Sequence, residues 1–297
     1  MERLTKCPLC KSGLFLNHSE VKDHSVSGET FFLCQCSNCK LIFTNPRPSI
    51  EFIGKYYESE EYISHQNKST NLTNKLYKFV RQLTIRKKVA LINMLHPNKG
   101  KLLDIGCGTG YFIEAAEISE WKVKGIEPNS TARKIAQSKN LKVSESLKNI
   151  NDNKKFDVIT LFHVLEHMHN LRKSTKKIVE LLNDNGTLII AVPNFVSFDS
   201  KYYGSNWAAL DVPRHLYHFN KISVQKLAEE FNLRITETKP MKFDSFYVSI
   251  LSEKYLKPNN NSILHLIKGA INGLKSNIWA KNNENNYSSL LFILKKK

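Results

Sequence analysis

The chain of 297 residues lacks any apolar run of about 18 residues, so no candidate transmembrane helix is visible. Its first residues, MERLTKCPLC, contain no apolar core of the length that a signal peptide needs. We therefore expect a cytoplasmic protein. Acidic residues are scarce, because 27 Asp and Glu stand against 44 Lys and Arg, and the net charge is +17. That excess suits a polyanionic partner or an acidic membrane surface, although coding bias toward Lys, Asn and Ile would produce it as well.

Residues 62–103 contain no Asp or Glu and nine Lys or Arg. Leu72, Leu76 and Leu83, with Phe79 or Val80 between them, recur at helical spacing. The pattern predicts a helix whose basic residues lie on its outer face. That face is either a solvated surface or a docking surface.

Cysteine is rare beyond residue 39, since five of the six cysteines lie within the first 39 residues. Clustering of this kind in a cytosolic protein favours a metal over disulfides. Two C-x-x-C pairs are present, and together they predict a structural Zn²⁺ site of four thiolates: Cys7, Cys10, Cys36 and Cys39. Cys34 is a fifth thiol that could replace one ligand. A module of this size needs its metal to fold.

Apolar strands alternate with helices from Lys101 onward, which predicts an α/β fold with a doubly wound, mostly parallel sheet. Ser130 is the expected cap of the helix over 130–139, and the helix over 171–184 should stop at Asn185-Gly186. The last segment, SSLLFILKKK, is expected to pair into the sheet as its terminal strand.

The segment LLDIGCGTGYF joins a strand to a helix through Gly106, Gly108 and Gly110. Position 111 is Tyr, so the dinucleotide fingerprint G-x-G-x-x-G is absent, and no Gly-Lys-Ser/Thr follows to form a phosphate-binding P-loop. Asp104 precedes the loop, where it would repel a pyrophosphate and attract a cation. The loop therefore predicts a cationic ligand.

Acidic and aromatic residues end the neighbouring strands. Glu127 ends the second strand and can accept the hydroxyls of a ribose. Phe162 and His163 end the fourth strand and can flank the same ligand. The pocket thus suits a nucleoside with a positively charged tail.

Four segments in order, LLDIGCGTGYF, GIEPN, FDVITLFHVLEHM and GTLIIAVPN, resemble motifs of the class I S-adenosylmethionine-dependent methyltransferases. The resemblance covers about residues 100–195 and implies a Rossmann-like, seven-stranded sheet with an antiparallel last strand. It implies that the three glycines lie against S-adenosylmethionine, that Asp104 is near its amino group and that Glu127 holds its ribose. It also places Glu145, Ser146 and Leu147 near the adenine.

The chain divides into three expected parts. Residues 1–48 form a zinc-ribbon-like module that ends at the prolines of TNPRP, and residues 49–99 form a basic helical connector or lid. Residues 100–297 form the methyltransferase domain, with insertions at about 195–220 and about 243–280.

Two histidine-rich segments invite different interpretations. His163, Glu166 and His167 match the zinc-peptidase pattern H-x-x-E-H, but His163 ends a strand. Both histidines are therefore expected to line the pocket or to pack in the core, not to bind zinc. The insertion WAALDVPRHLYHFN carries Asp211, Arg214 and Tyr217 around two candidate general bases: His215 first, His218 second. A hydrogen-bonded loop with structural histidines is the alternative.

The expected reaction is methyl transfer to a small-molecule acceptor such as a phenol, a sugar or a lipid-linked metabolite. One alternative is an RNA methyltransferase that uses the zinc ribbon and basic helix for phosphate contacts, although the ribbon is nearly neutral and no N-P-P-Y follows the fourth strand. A second alternative is a binding module that senses the cofactor. The segment ILHLIKGAINGLKSNIWA is expected to cover the substrate or to contact a membrane surface weakly.

Overall fold

The structure is a computed structural model that describes residues 1–57, 72–151 and 153–297, and only the backbone of residues 72–79. Residues 62–71 of the predicted basic helix lie outside the described residues. Within these ranges no helix is both long enough and apolar enough to cross a bilayer.

A seven-stranded sheet forms the centre of the molecule. Its order is β10-β11-β8-β7-β4-β5-β6, and only β11 runs antiparallel to its neighbours. The fold is therefore the predicted Rossmann-like one, with the final segment paired as expected. The strands are β4 (Lys101–Ile105), β5 (Lys122–Ile126), β6 (Val143–Ser144), β7 (Phe156–Phe162), β8 (Leu182–Pro193), β10 (Leu233–Pro240) and β11 (Ser289–Lys296).

Helices cover both faces of this sheet, so consecutive residues of a strand belong to two separate hydrophobic cores. Leu102 shares one core with Ile113, whereas Leu103 shares the other with Ile178. Burial on both faces explains why the strands read as continuous apolar runs. The helices are α1 (Leu72–Leu95), α2 (Tyr111–Ile118), α3 (Ser130–Gln137), α4 (Leu171–Leu181), α5 (Phe198–Tyr203), α6 (Lys221–Glu230), α7 (Asp244–Leu256) and α8 (Ser262–Asn282).

A second, smaller sheet lies at the N-terminus. Its strands are antiparallel, in the order β1 (Phe15–Lys22), β2 (Thr30–Cys36), β3 (Ile42–Thr44) and β9 (Tyr217–His218). The last strand comes from the insertion that follows β8. The cysteine-rich segment and the histidine-rich insertion therefore share one sheet.

Three local predictions were wrong. Asn129, not Ser130, caps α3, because its side chain accepts a hydrogen bond from Ala132 N at 2.9 Å. Helix α4 ends at Leu181, since Leu182 already pairs with Phe156 in the sheet. Not all basic residues of α1 face outward, because Lys88 is half-buried and lies near the carboxylates of Asp104 and Asp244.

Candidate active site

The three glycines of the loop after β4 all have positive φ, but their surroundings differ. A Cβ on Gly106 would lie 2.3 Å from Val164 Cγ2, and one on Gly110 would lie 2.5 Å from Leu141 Cδ1. A Cβ on Gly108 would meet nothing within 4 Å. Gly106 and Gly110 therefore allow close packing of protein atoms, whereas Gly108 leaves bare backbone open to a ligand.

Asp104 lies at the carboxyl end of β4 and is only 4% exposed. It accepts a hydrogen bond from Thr160 Oγ1 at 2.6 Å. Burial raises the pKa of Asp104 to about 7, although this hydrogen bond and the Lys88 ammonium favour the ionised form. A buried carboxylate with one neutral donor is suited to binding a cationic ligand.

Glu127 follows β5 and faces the same loop. Its two carboxylate oxygens accept hydrogen bonds from Gly108 N and Asn129 N, each at 2.8 Å. Burial raises the pKa of Glu127, and these two bonds oppose the increase. The carboxylate is thus fixed beside the open backbone at Gly108.

The residues expected near the adenine follow β6. Glu145 is exposed and forms a 3.8 Å ion pair with Arg133. Ser146 caps the short helix Leu147–Asn149, and Leu147 is half-buried. The strand order places these residues beyond Glu127, next to the edge of the sheet.

Phe162 and His163 end β7 on the other side of Asp104. The Phe162 ring contacts Phe112 at 5.3 Å and the Lys88 ammonium at 3.7 Å. His163 Nε2 lies 3.0 Å from Asp244 Oδ2 at the start of α7. Although burial opposes its charge, the carboxylates of Asp244 and Glu166 raise the pKa of His163 to about 10.

Glu166 is fully buried, and neither carboxylate oxygen has a hydrogen-bond partner among the described residues. Its closest charged neighbour is His163, with an Nδ1–Oε1 distance of 3.5 Å. Ligand atoms of Glu166, His167 and His215 all lie within 4.8 Å of one another. We call these three residues the Glu-His-His cluster.

Hydrogen bonds fix the orientation of both histidines in the cluster. His167 Nδ1 lies 3.0 Å from Arg214 O, and His215 Nδ1 lies 2.8 Å from Ala209 O. Because a carbonyl oxygen only accepts, each Nδ1 donates its proton, and Nε2 is the nitrogen that has a lone pair in the neutral ring. Such a set can accept a proton from a substrate or hold a divalent cation.

His218, the second candidate base, lies in β9 outside this cluster. It is 4% exposed, and its Nε2 has no hydrogen-bond partner among the described residues. Burial lowers the pKa of His218 to about 3.

The other polar residues of the insertion have structural partners. Arg214 lies 3.0 Å from Asp23 and 2.7 Å from Asp211, so it connects the insertion to the β1–β2 turn. Tyr217 donates its hydroxyl to His169 O at 2.8 Å. These groups hold the loop in place.

The N-terminal sheet also positions the backbone around His215. Phe43 pairs with Tyr217, and Thr44 Oγ1 donates to His215 O at 2.9 Å. Arg172 on α4 donates to Leu9 O and thereby attaches the cysteine-rich segment to the central domain. The Glu-His-His cluster thus depends on contacts with residues 1–57.

The four predicted zinc ligands converge. Sγ atoms of Cys7 and Cys39 are 3.6 Å apart, and those of Cys10 and Cys36 are 3.5 Å apart. These distances exceed a disulfide bond and fit the edge of a tetrahedron with Zn–S of about 2.3 Å. Cys34 stands apart, near Asn17 and Asn45, so it does not belong to the group.

Comparison with protein families identifies the central domain. The family described as "Methyltransferase domain" matches residues 78–238, more than half of the chain. The chain belongs to this methyltransferase family. The predicted enzyme class is therefore confirmed, and the match includes the glycine loop, both acids and the Glu-His-His cluster of the methyltransferase.

Curated relatives of this methyltransferase include two ubiquinone biosynthesis O-methyltransferases. The protein from Rhodopseudomonas palustris (strain HaA2) is 26% identical over 48% of this chain and 62% of its own length. The protein from Bradyrhizobium diazoefficiens is 25% identical over 57% of this chain and 72% of its own length. The chain thus spans less than two thirds of the first relative.

Solved structures support the fold. Magnesium protoporphyrin IX methyltransferase from Synechocystis PCC 6803, with bound SAH, superposes with a TM-score of 0.54 at 13% identity. The alignment covers 83% of this chain and 100% of that one. The structure of the same protein with bound SAM gives a TM-score of 0.52. This similarity concerns the fold alone.

Sequence reasoning missed two residues of the site, Lys88 and Asp244. It also missed the chemical role that the carboxylate of Glu166 can have. Lys88 and Asp244 come from distant helices, and no local pattern links them to β7. Glu166 stood in a recognised segment, but only the structure shows that its carboxylate is buried without a hydrogen bond.

Proposed function

We propose that this methyltransferase binds S-adenosylmethionine across β4 and β5 and transfers its methyl group to a small-molecule acceptor. The observation that carries the proposal is a pair of acids, the buried Asp104 and the half-buried Glu127, beside the loop whose backbone is open at Gly108. The names of its curated relatives favour an acceptor that is methylated on oxygen, such as a phenol. A sugar or a lipid-linked metabolite fits the same chemistry.

The cofactor contacts follow from charge and position. The Asp104 carboxylate pairs with the amino group of the methionine part, and the Glu127 carboxylate accepts the ribose hydroxyls. The Lys88 ammonium, drawn into the same crevice, is suited to the carboxylate of the methionine part. Glu145, Ser146 and Leu147 flank the adenine at the edge of the sheet.

When bound, S-adenosylmethionine supplies an activated methyl group, so the protein must mainly align the acceptor and remove its proton. We propose that His215 Nε2 takes the acceptor's proton, since His215 Nδ1 already carries a proton, which it donates to Ala209 O. The buried carboxylate of Glu166, which accepts no hydrogen bond from the described residues, stabilises the resulting imidazolium. His218 remains the second candidate base, but its deep burial favours a packing role.

The N-terminal module is proposed to hold one Zn²⁺ through its four convergent cysteines. Its role is to fix the second wall of the acceptor site, because β3 pairs with β9 beside the Glu-His-His cluster. Residues 49–99 connect this module to the methyltransferase domain of residues 100–297, with α1 contributing Lys88.

The test is a methyl-transfer assay with purified chain, labelled S-adenosylmethionine and panels of phenols, sugars and lipid-linked phenols. Transfer of label to one class, with matching release of S-adenosylhomocysteine, is the expected result. Cofactor binding without transfer to any small acceptor, but with transfer to RNA, would contradict the proposed substrate class.

A further inference from the structure

Helix α8 exposes its apolar side. Six large apolar residues recur along one side of this helix at positions typical of a single helical face. Their side chains are between 36% and 67% exposed. We call them the α8 apolar face: Ile263, Leu266, Ile267, Ile271, Leu274 and Ile278.

The opposite side of α8 carries small residues and packs on α7. A Cβ on Gly269 would lie 2.5 Å from Ile250 Cα, and one on Gly273 would lie 2.8 Å from Phe246 Cα. Backbone atoms cannot move aside cheaply, so no larger residue fits at this contact. The helix therefore cannot rotate to bury its apolar face against α7.

Buried hydrogen bonds fix the same orientation. Asn272 Nδ2 donates to Tyr203 and to Glu253 Oε1 at 3.0 and 2.9 Å, respectively. Ser276 donates to Asp199 at 2.8 Å. Rotation of α8 would remove donors from two buried carboxylates, which is strongly unfavourable. Exposure of the apolar face is thus a consequence of how the helix is held.

The charges around this face have one sign. Of the two acids between residues 244 and 282, Asp244 is paired with His163 and Glu253 is buried. The charged residues of α8 and of its connection to α7 are all lysines: Lys257, Lys268, Lys275 and Lys281. An exposed apolar face of this size marks an interaction site, and its lysines call for an anionic partner.

We propose that the α8 apolar face docks on the surface of an anionic lipid membrane. Lying flat, the 21 residues of α8 present a length of about 30 Å, with isoleucine and leucine toward the acyl region and lysines near the headgroups. Electrostatic repulsion between chains of net charge +17 disfavours a second copy as the partner. The proposal does not depend on which acceptor is methylated.

The experiment is flotation of the full chain with phosphatidylcholine vesicles, with and without phosphatidylglycerol. We expect binding to the vesicles that contain phosphatidylglycerol and weak binding to those that do not. The variant carrying Ile271→Glu and Leu274→Glu should lose at least about tenfold in vesicle affinity. Ile118→Glu, at an 81% exposed position of α2, is the matched control and should bind like the wild type. Unchanged binding by the double variant would overturn the proposal.

Two further measurements complete the test. Calorimetric affinity for S-adenosylhomocysteine must match the wild type in both variants, which shows that they are folded. Light scattering in the absence of lipid should give the same mass for all proteins. A wild-type dimer that the double variant converts to a monomer would assign the face to a second copy and overturn the membrane proposal. Vesicle binding that is insensitive to salt and to Lys275→Glu with Lys281→Glu would also overturn it.

Discussion

The proposed cofactor side and the proposed acceptor side of this methyltransferase are assembled in different ways. The cofactor side consists of loops that directly follow β4, β5, β6 and β7, so each residue is placed by its own strand. The acceptor side combines Glu166 and His167 with His215, and the loop carrying His215 is held by Asp23 and Thr44. The first region is local in sequence, whereas the second depends on long-range contacts.

This difference predicts that the two sides fail independently. If His215 is the proposed general base, His215→Ala should lower kcat by about 10²- to 10⁴-fold, because the acceptor then loses that base. The affinity for S-adenosylhomocysteine should not change, since His215 lies outside the cofactor crevice. Steady-state kinetics and calorimetry check the two quantities separately.

The contrary outcomes are specific. Full activity of His215→Ala would remove this residue as the base. If a chelator that leaves the cysteine-bound zinc in place abolishes turnover, and a divalent cation restores it, a metal ion at the Glu-His-His cluster activates the acceptor instead of free His215.

Loss of the zinc module should damage the acceptor side alone. Cys39→Ser is expected to abolish zinc binding and, by displacing β9 and His215, to lower kcat by about 10²-fold. S-adenosylhomocysteine affinity should change little. Metal analysis, kinetics and calorimetry on one preparation check this prediction, and a cofactor affinity that falls in parallel with kcat would show that the two sides are coupled.

A milder variant tests whether the N-terminal sheet positions His215. Thr44→Val removes only the hydrogen bond to His215 O, so we expect a several-fold loss of kcat, on the order of 1 kcal/mol. Thr236→Val removes a similar bond, to Ile293 O, far from the site, and serves as the control. Equal kinetics in the two variants would show that the ribbon does not position His215.

Removing either acid should damage the cofactor side alone. Asp104→Ala and Glu127→Ala should each weaken S-adenosylhomocysteine binding at least about tenfold, or about 1.4 kcal/mol. Glu117→Gln, at an exposed position of α2, is the control. Calorimetry measures the affinities, and values equal to the wild type would contradict the assigned roles.

The pKa of Asp104, about 7, predicts a pH dependence of cofactor binding. Only the ionised carboxylate attracts the cofactor's amino group, so affinity should rise as the pH increases from 6 to 8, by up to about tenfold per unit below the pKa. In Asp104→Asn this dependence should disappear. Because the folded pKa is raised, the unliganded protein loses stability as the pH rises from about 4, the pKa of an unfolded Asp, to about 7, and the loss is complete above that pH. The Asn variant should therefore melt at a higher temperature at pH 8. A lower melting temperature would contradict the raised pKa.

The smallest expected effect is confined to stability. Asn129→Ala should lower the free energy of unfolding by about 1 kcal/mol, because it removes the cap of α3, whereas Ser130→Ala should change it far less. Denaturant titration checks the difference. A larger loss from Ser130→Ala would restore the cap predicted from sequence.

The same comparison explains what the sequence could predict. Asp104, Glu127, Phe162 and His163 directly follow recognisable strands, so their convergence at one sheet edge follows from the parallel topology. The convergence of the four cysteines was predictable because two C-x-x-C pairs are typical of zinc ligands. Lys88 was predicted to face outward, because helical spacing says nothing of carboxylates supplied by β4 and α7. The pairing of β3 with β9 joins residues far apart in sequence, and no local pattern encodes it.

A crystal structure of the chain with S-adenosylhomocysteine would test the central claim most directly. The account predicts that the nucleoside lies over Gly108, with its ribose on Glu127, its amino group near Asp104 and its sulfur facing the Glu-His-His cluster. A ligand bound elsewhere, or a crevice that takes up a nicotinamide dinucleotide instead, would contradict it.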